Sequence, residues 1–340
     1  MSPNITTVIM KTNSTPSSST HRVEDFDFTF KLVSTFFLII IIILTLIGNT
    51  FVICAFAMFR KLRSVTNHFV VSLAFTDLLV AVFSMPVWAA YLLTGPEWIY
   101  PMWLRKIWAC MDILCGVASI LHLSFISVER YKCISSPLKY HEIITAFKTR
   151  VAIAVIWVFS FTMAMIKFII WGYPPPAYQL SAFILCFVLP TFVMSCAYIL
   201  IFKVSRTQAK KMTMTIKGKS KRFCLPKELK AAKTLAVVMG AFLFCWFPFF
   251  LINVIFAVCR TCPIVDNKAI MLTKWLHYLN SVLNPIIYSC MTRDFRNAFK
   301  KLGLCAVQKV MGRYSQLERG LSLSFTRGRT SSRGLPDVHS

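Results

Sequence analysis

The sequence predicts an all-α protein, a seven-transmembrane helix bundle with a short amphipathic eighth helix. Two observations predict this class. Hydrophobic residues fill 56% of the 340 positions and charged residues only 15%, which argues against a soluble globular protein. The apolar residues also gather into seven blocks, each near the roughly 20 residues that a membrane-spanning helix needs. The blocks cover approximately residues 32–59, 67–93, 105–131, 149–172, 179–204, 231–258 and 269–290.

The positions of the basic residues give the bundle an orientation. The net charge of +25 could indicate nucleic acid, but the lysines and arginines lie mainly between and after the apolar blocks, in residues 60–63 and 205–230 and beyond 292. Such segments face the cytoplasm under the positive-inside rule. The distribution therefore predicts a multi-pass protein of the lipid bilayer rather than a nucleic-acid-binding protein. An odd number of spans then puts the N-terminus outside.

Three regions follow from this topology. Residues 1–31 are predicted to form an extracellular tail without a signal-peptide core. Residues 32–304 form the membrane domain, including the eighth helix, and residues 305–340 form a disordered cytoplasmic tail. Two sequons, at Asn4 and Asn13, predict glycosylation of the first tail, which agrees with an extracellular N-terminus.

The third block carries a charge near each of its ends. Asp112 and Arg130 are 18 positions apart (130 − 112), or five helical turns, so they share one face and lie roughly 27 Å apart. That distance is close to the thickness of a bilayer's hydrocarbon core. Because an ionisable side chain inside a spanning helix is costly, Asp112 predicts a functional site. The alternative is that Asp112 pairs with another helix, or with Arg105 or Lys106 near the membrane surface.

Polar residues also interrupt other blocks. Asn49 in the first block is explained equally well by hydrogen bonding between helices. A carboxylate at the depth of Asp77 must instead pair, take up a proton or bind a cation. Lys167, near the outer end of the fourth block, is expected to extend to the membrane surface.

The sixth block combines an aromatic face with a proline. One helical face carries four aromatic residues, Phe242, Trp246, Phe249 and Phe250. Pro248 lies among them and predicts a kink, because it frees a backbone carbonyl one turn earlier. An aromatic stripe usually belongs to a core. Beside a kink and opposite a carboxylate, it is also a candidate floor for a ligand.

The chain after the seventh block is basic. Residues 292–304 form an amphipathic segment that predicts a helix on the cytoplasmic leaflet. Cys305 behind it is a candidate palmitoylation site. The 12 cysteines show no zinc or disulfide-framework spacing, and no set of nucleophile, base or metal ligands indicates an enzyme. No cofactor is expected to be required.

One signature stands in each block, in order along the chain. The signatures are Asn49, Asp77, Glu129-Arg130-Tyr131, Trp157, Pro190, Cys245-Trp246-Phe247-Pro248 and Asn284-Pro285-Ile286-Ile287-Tyr288. Over about residues 30–305 the chain resembles the rhodopsin-like (class A) G protein-coupled receptors. A second set is most similar to the biogenic-amine receptors among them: Asp112, the run Ala118-Ser119-Ile120-Leu121, and Trp275 with Tyr278.

The resemblance implies a plasma-membrane receptor for an extracellular protonated amine. Asp112 would anchor the ammonium and compensate for its lost hydration in an apolar pocket, with Tyr278 hydrogen-bonded to Asp112. The residues implied for the ligand site are Asp112, Cys115, Gly116, Ala182, Cys186, Trp246, Phe249, Phe250, Asn253, Trp275 and Tyr278.

The resemblance also implies an allosteric sodium ion deeper in the bundle. Carboxylate, amide and hydroxyl oxygens are hard ligands that suit such a cation. The implied sodium site consists of Asp77, Ser119, Asn280, Ser281 and Asn284.

On the cytoplasmic side, the resemblance implies coupling to a heterotrimeric G protein, with arrestin and receptor kinases as further partners. Arg130 would pair with Glu129 and Glu228 until activation moves the sixth helix about Pro248. The residues implied for switching and coupling are Glu129, Arg130, Tyr131, Pro137, Leu138, Tyr198, Glu228, Pro248, Pro285 and Tyr288.

The sequence departs from the family pattern at the entrance to the site. The family's cysteine at the start of the third helix is replaced by Arg105, and residues 172–178 lack the cysteine that would pair with it. Since a native disulfide stabilises a fold by about 2–4 kcal/mol, a looser entrance is expected. Cys259 and Cys262 remain candidates for a small bridge.

The fifth block departs from the pattern as well. Ala182, Phe183 and Cys186 match the positions where catecholamine receptors carry serines that bind ring hydroxyls. The sequence therefore favours an amine poor in hydroxyl groups, and His277 on the seventh block is expected to narrow the site.

Two other functions were weighed against an amine receptor. One is an orphan or constitutively active class A receptor with a non-amine ligand. The other is a transporter or channel, against which the chain shows neither an inverted repeat nor a ring of charges for a pore.

Overall fold

The computed structural model describes residues 28–94, 99–171, 175–215, 227–258, 267–305 and 307–308. Every long element in these residues is helical. The helices are α1 (Phe28–Met58), α2 (Val65–Thr94), α3 (Met102–Ser135), α4 (Pro137–Ile143), α5 (Ala146–Ile169), α6 (from Pro176 to Thr215), α7 (Lys227–Val258), α8 (Asn267–Met291) and α9 (residues 293–305).

The predicted all-α bundle is confirmed. Seven of the helices coincide with the seven apolar blocks, and α9 coincides with the predicted amphipathic segment. Except at the end of α6, the boundaries agree to within about one helical turn. Among the described residues, α1, α2, α3, α5 and α6 are long and apolar enough to cross a membrane, whereas α7 has a shorter apolar stretch, Met239–Ile255.

Some sequence-based predictions fall outside what the structure describes. They concern the two sequons at Asn4 and Asn13, the cysteines Cys259 and Cys262, and the side chains of Glu228 and Pro137. These remain predictions.

Helix α3 lies at the centre of the bundle. It packs against α2, α5, α6 and α7, and half of its residues are buried. Helix α8 packs against α1, α2 and α7 and closes the ring of helices. Large apolar side chains such as Phe36, Val158 and Phe192 are exposed on the outer faces, which suits a surface in contact with lipid.

Two π-helical turns interrupt the regular helices. They occupy Val80–Ser84 in α2 and Ile184–Val188 in α6. Each turn accommodates an extra residue and changes which side chains face the interior, and such turns often occur at functional sites. As a result, Ser84 is fully buried at the end of the first turn, and Cys186 is buried within the second.

Two glycines allow close contacts inside the bundle. A Cβ atom at Gly48 in α1 would lie 2.7 Å from Pro285 of α8, closer than real side chains approach. A Cβ atom at Gly116 in α3 would collide with the indole ring of Trp246. The small residue at 116 therefore lets Trp246 pack directly against the backbone of α3.

Candidate functional site

A pocket opens at the end of the bundle where α3 begins. It encloses about 1090 Å³ of space, its open mouth included. Helices α3, α5, α6, α7 and α8 contribute its lining. The lining residues are Trp108, Ala109, Asp112, Ile113, Gly116, Val117, Met163, Lys167, Tyr178, Gln179, Ala182, Phe183, Cys186, Trp246, Phe249, Phe250, Asn253, Lys274 and His277.

Most of the residues implied for the ligand site line this pocket. They are Asp112, Gly116, Ala182, Cys186, Trp246, Phe249, Phe250 and Asn253. The other three lie behind it. Cys115 and Tyr278 are buried in an apolar cluster with Trp88 and Trp108, and Trp275 packs against the same cluster.

The carboxylate of Asp112 is bound from two helices. One oxygen accepts a hydrogen bond from the Ser84 hydroxyl of α2, and the other forms an ion pair with the ammonium of Lys274 on α8. Ser84 also contacts the Tyr278 hydroxyl at 3.0 Å and accepts a hydrogen bond of 3.1 Å from the Trp108 indole. The structure therefore places Ser84 between Tyr278 and Asp112, where the family resemblance implied a direct hydrogen bond.

The ammonium of Lys274 also lies over aromatic rings. Its Nζ atom is 4.8 Å from the ring centre of Trp108, 5.5 Å from that of Phe249 and 5.9 Å from that of Tyr278. The faces of such rings attract cations. Only 6% of the Lys274 side chain is exposed. One carboxylate and three rings thus form a desolvated site for an ammonium group.

Asp112 pairs with another helix, which is one of the alternatives that the sequence left open, but its partner, Lys274 of α8, was not predicted. Neither Arg105 nor Lys106, the basic residues considered for it, forms that ion pair. Lys106 instead lies over the rings of Phe168 and Trp171. The missed signal was the spacing of Lys274 and Tyr278, which are four residues apart and therefore share a helical face.

Two more basic side chains line the pocket. Lys167 is buried, contrary to the expectation that it reaches the surface, and its ammonium lies 5.8 Å from the ring of Trp171. His277 is buried against Trp246, with ring centres 4.0 Å apart. Neither of its ring nitrogens has a hydrogen-bond partner among the described residues. It contributes to the lining of the pocket and offers it an unsatisfied polar group.

The residues implied for the sodium site are all buried. Asn284 donates a hydrogen bond of 2.9 Å to the carboxylate of Asp77. Asn49 donates to the backbone carbonyls of Thr45 and Ser281, at 3.0 and 3.1 Å, so it does connect α1 to α8. Its side-chain oxygen is buried without a partner in the described part of the chain. No group of three or more His, Cys, Asp or Glu side chains forms a metal site in that part.

The opposite end of α3 carries a second ion pair. Arg130 donates two hydrogen bonds, of 2.7 and 2.8 Å, to the adjacent carboxylate of Glu129. Glu129 also accepts hydrogen bonds from Thr66 of α2 and from Tyr140 of α4. Burial and the Glu129 carboxylate raise the pKa of Tyr140, so its hydroxyl keeps its proton and remains a donor.

Several of the remaining residues implied for switching lie near this end. Tyr198 packs against Ile134 and Ile201, and Tyr288 stacks on Phe295 with ring centres 5.9 Å apart. Leu138, at the start of α4, is 94% exposed. Other implied positions lie within helices: Tyr131 in α3, Pro248 in α7 and Pro285 in α8. Cys305, the candidate palmitoylation site, is exposed at the end of α9.

A polar network that the sequence did not indicate joins three helices. His122 of α3 bonds the Ser72 hydroxyl of α2 at 2.7 Å and the carbonyl of Ala118 at 2.6 Å. Trp157 of α5 donates to the same hydroxyl at 3.0 Å. Both nitrogens of the fully buried His122 ring are therefore satisfied.

Comparison with known proteins agrees with this architecture. Residues 48–288 match the family described as 7 transmembrane receptor (rhodopsin family). The histamine H2 receptor of Cavia porcellus is 35% identical over 298 residues, 82% of this chain and 82% of that protein. The human histamine H2 receptor is 33% identical over 318 residues, 88% of this chain and 87% of its own length. The D(1)-like dopamine receptor of Oreochromis mossambicus is 34% identical over 303 residues, 79% of this chain and 78% of its own length.

The matched region contains the pocket, the Asp112 site and the Glu129–Arg130 pair. The relatives described above align with 79–88% of this chain. The chain therefore belongs to the rhodopsin family of seven-transmembrane receptors, multi-pass membrane proteins that are receptors rather than enzymes.

Proposed function

We propose that this receptor stands in the plasma membrane with its N-terminus outside, binds a small protonated amine beside Asp112 and activates heterotrimeric G proteins. The relatives described above, which are named as histamine and dopamine receptors, support an amine as the ligand class. The pocket is lined mainly by apolar and aromatic side chains with a few polar groups among them, as small-molecule sites usually are.

The observation that carries this proposal is the ion pair between an ammonium group and Asp112. Lys274 supplies the ammonium, and the same carboxylate and rings can receive the ammonium of a ligand. Asp112 is held in place by Ser84, which is itself bonded to Trp108. A binding group that is already oriented loses little entropy when its ligand arrives.

The wall formed by α6 supports an amine with few hydroxyl groups. Ala182 and Cys186 line the pocket there. Ser181 is exposed, and its hydroxyl donates to the carbonyl of Tyr178 at 2.9 Å. A catechol would find no hydroxyl partner on these three residues.

A panel of biogenic amines tests the proposal. The receptor is produced in cultured cells, and second messengers are recorded for each amine with wild type and with Asp112→Asn. At least one amine should activate the wild type, and Asp112→Asn should weaken its potency roughly a hundredfold, because the ligand's charge loses its buried partner. The matched control is Asp294→Asn, which removes an exposed carboxylate paired with Lys61 on the far side of the bundle.

Equal responses of the wild type and Asp112→Asn, at equal surface expression, would exclude Asp112 as the anchor. The alternative is a constitutively active receptor without an amine ligand. It predicts no response to any amine, together with high basal signalling that Arg130→Ala abolishes.

The cytoplasmic end supports coupling to a G protein. Glu129 holds Arg130 and also accepts hydrogen bonds from Thr66 of α2 and Tyr140 of α4, so a conformational change in α2 or α4 can alter the pairing of Arg130. We infer that the exposed Leu138 contacts the G protein. Arrestin and receptor kinases belong to the same proposal as partners of the activated state.

A sodium ion near Asp77 is also part of the proposal. The buried carboxylate and the oxygen of Asn49, which has no partner among the described residues, are the hard donors that such an ion prefers. Bound there, the ion would favour whichever conformation holds it more tightly.

A further inference from the structure

The pocket contains more positive than negative side chains. Asp112 is neutralised by Lys274, and both side chains are more than nine-tenths buried. Lys167 adds a second buried ammonium to the lining. Within the described ranges, no salt bridge joins Lys167 to a carboxylate. Its ammonium lies over the aromatic ring of Trp171. The pocket therefore carries an excess of positive charge.

A simple amine gains little by entering this pocket. Its ammonium can reach Asp112 only by displacing that of Lys274, so one ion pair breaks while one forms. Lys274 is then left as a buried ammonium among the rings of Trp108 and Phe249. A buried charge that has lost its partner is strongly unfavourable. The exchange therefore opposes the binding of a ligand whose only charge is positive.

A ligand that also carries a negative charge avoids this penalty. Its ammonium pairs with Asp112 while its anionic group pairs with Lys274, so one ion pair breaks and two form. Because Asp112 and Lys274 are in direct contact, the two charges of the ligand must also be adjacent. An ammonium and a carboxylate attached to the same carbon atom meet this requirement.

We propose that the pocket recognises an α-amino acid with an aromatic or apolar side chain, bound by insertion between Asp112 and Lys274. The inference rests on the amine-binding function proposed above and narrows its ligand class. It adds no covalent step.

Two further features of the pocket fit a carboxylate. His277 is buried, contributes to the lining and has two unpartnered ring nitrogens in the described structure, so it can donate a hydrogen bond to an anion. Lys167 lies in the same lining and strengthens the positive field. The aromatic floor of Trp246, Phe249 and Phe250 suits the side chain of the amino acid.

The test compares ligands that differ only in the carboxylate. Each amine is paired with the amino acid from which decarboxylation produces it: phenethylamine with phenylalanine, tryptamine with tryptophan, and histamine with histidine. The methyl ester of each amino acid keeps the ammonium and the bulk but removes the negative charge. Second messengers are recorded in saline free of amino acids, and the shift in melting temperature is measured on the purified full-length receptor.

The wild type should respond to at least one of the amino acids roughly tenfold more potently than to its amine or its ester. Lys274→Met removes the tethered ammonium but keeps an apolar chain of similar length. It should reverse the order, because the amine gains roughly tenfold in potency on a vacated Asp112 and the amino acid loses its second partner. Lys274→Arg, which keeps the charge, should retain the order of the wild type.

The gain of amine potency in Lys274→Met cannot arise from misfolding, so a loss of stability in that variant leaves the test decisive. The inference is overturned if amine or ester acts on the wild type at least as potently as the amino acid. It is also overturned if Lys274→Met changes all three ligands equally.

The same measurements separate this inference from the proposed function. Amines that activate the wild type at least as potently as their amino acids, and that fail on Asp112→Asn, would support the amine receptor and exclude the amino-acid preference. If no amine, ester or amino acid activates the wild type or Lys274→Met, both the amine-receptor function and the amino-acid preference are overturned.

Discussion

The ammonium of Lys274 forms an ion pair with Asp112, the carboxylate that the sequence predicts as the ligand anchor. Because Lys274 is tethered to α8, its local concentration beside Asp112 is far above that of any dissolved amine. A free ligand must compete with it. The affinity of the pocket for an amine therefore depends on Lys274 as much as on Asp112.

Gly116 gives a prediction at the scale of one residue. Gly116→Ala adds a methyl group that meets the indole of Trp246. Since both groups lie in the packed centre of the bundle, Trp246 must move or strain. We expect a loss of about 1–3 kcal/mol in stability, seen as a lower melting temperature of the purified receptor.

Gly240→Ala is the matched control. A Cβ atom there has nothing within 4 Å, and the residue is exposed within α7. Alanine is the better helix former by about 1 kcal/mol, so this variant should melt no lower than the wild type. If both variants melt at the wild-type temperature, Trp246 does not pack on Gly116 as the structure shows.

Single residues also mark what the sequence could predict of the site. Asp112 could be placed because a carboxylate in an apolar block is rare and costly. Lys274 was not predicted as a site residue because it lies near the start of its apolar block, where a lysine is ordinarily expected to extend to water. For the same reason Lys167 was expected at the surface, whereas the structure buries it. Which end residues turn inward depends on tertiary packing.

At the scale of elements, the middle of the bundle is joined by side-chain hydrogen bonds. The Ser72 hydroxyl of α2 contacts His122 of α3 and Trp157 of α5. A network of this kind, part-buried and centred on the buried His122, stabilises the bundle only while its members keep their partners. The Ser72 hydroxyl is the group through which α2, α3 and α5 are joined.

Ser72→Ala should therefore destabilise the receptor by about 1–3 kcal/mol, because the Nε2 atom of His122 and the indole N–H of Trp157 both lose the partner that they share. Ser160→Ala is the matched control, since among the described residues the buried Ser160 hydroxyl bonds only to the carbonyl of Ile156 in its own helix. Melting temperatures of the two purified variants provide the measurement. A larger loss in Ser160→Ala than in Ser72→Ala would refute the structural role given to the network.

The elements themselves were largely predictable. Apolar blocks of the length of a bilayer core leave a chain few choices, since every backbone group must bond within its own helix. The π-helical turns were not predictable, because the extra residue in Val80–Ser84 leaves no sign in composition. This is why Ser84, which orients Asp112, was absent from the residues implied for the site.

At the scale of the whole molecule, the two charged residues on one face of α3, Asp112 and Arg130, are both neutralised by an ion pair. Asp112 pairs with Lys274 of α8, and Arg130 pairs with its own neighbour Glu129. In the low dielectric of the bundle an unpaired charge at either end would be costly. A ligand that changes the partners of Asp112 therefore alters one end of the helix whose other end carries Arg130.

The Lys274–Asp112 pair also connects two helices at the entrance. The family's disulfide at the start of α3 has no counterpart at Arg105, which is buried. Cys110, one turn closer to Asp112, is a free cysteine. At this end of the bundle, the ion pair and the hydrogen bonds of Ser84 hold α3 to α8 and α2.

A double-mutant cycle on the ligand-free receptor measures whether this pair exists as the structure shows. Asp112→Asn and Lys274→Met are compared, singly and together, by the melting temperature of the purified protein. Each single variant leaves a buried group without its partner and should cost about 3–5 kcal/mol, whereas the double variant should recover most of that loss. Losses that simply add in the double variant would contradict the pairing of Asp112 with Lys274.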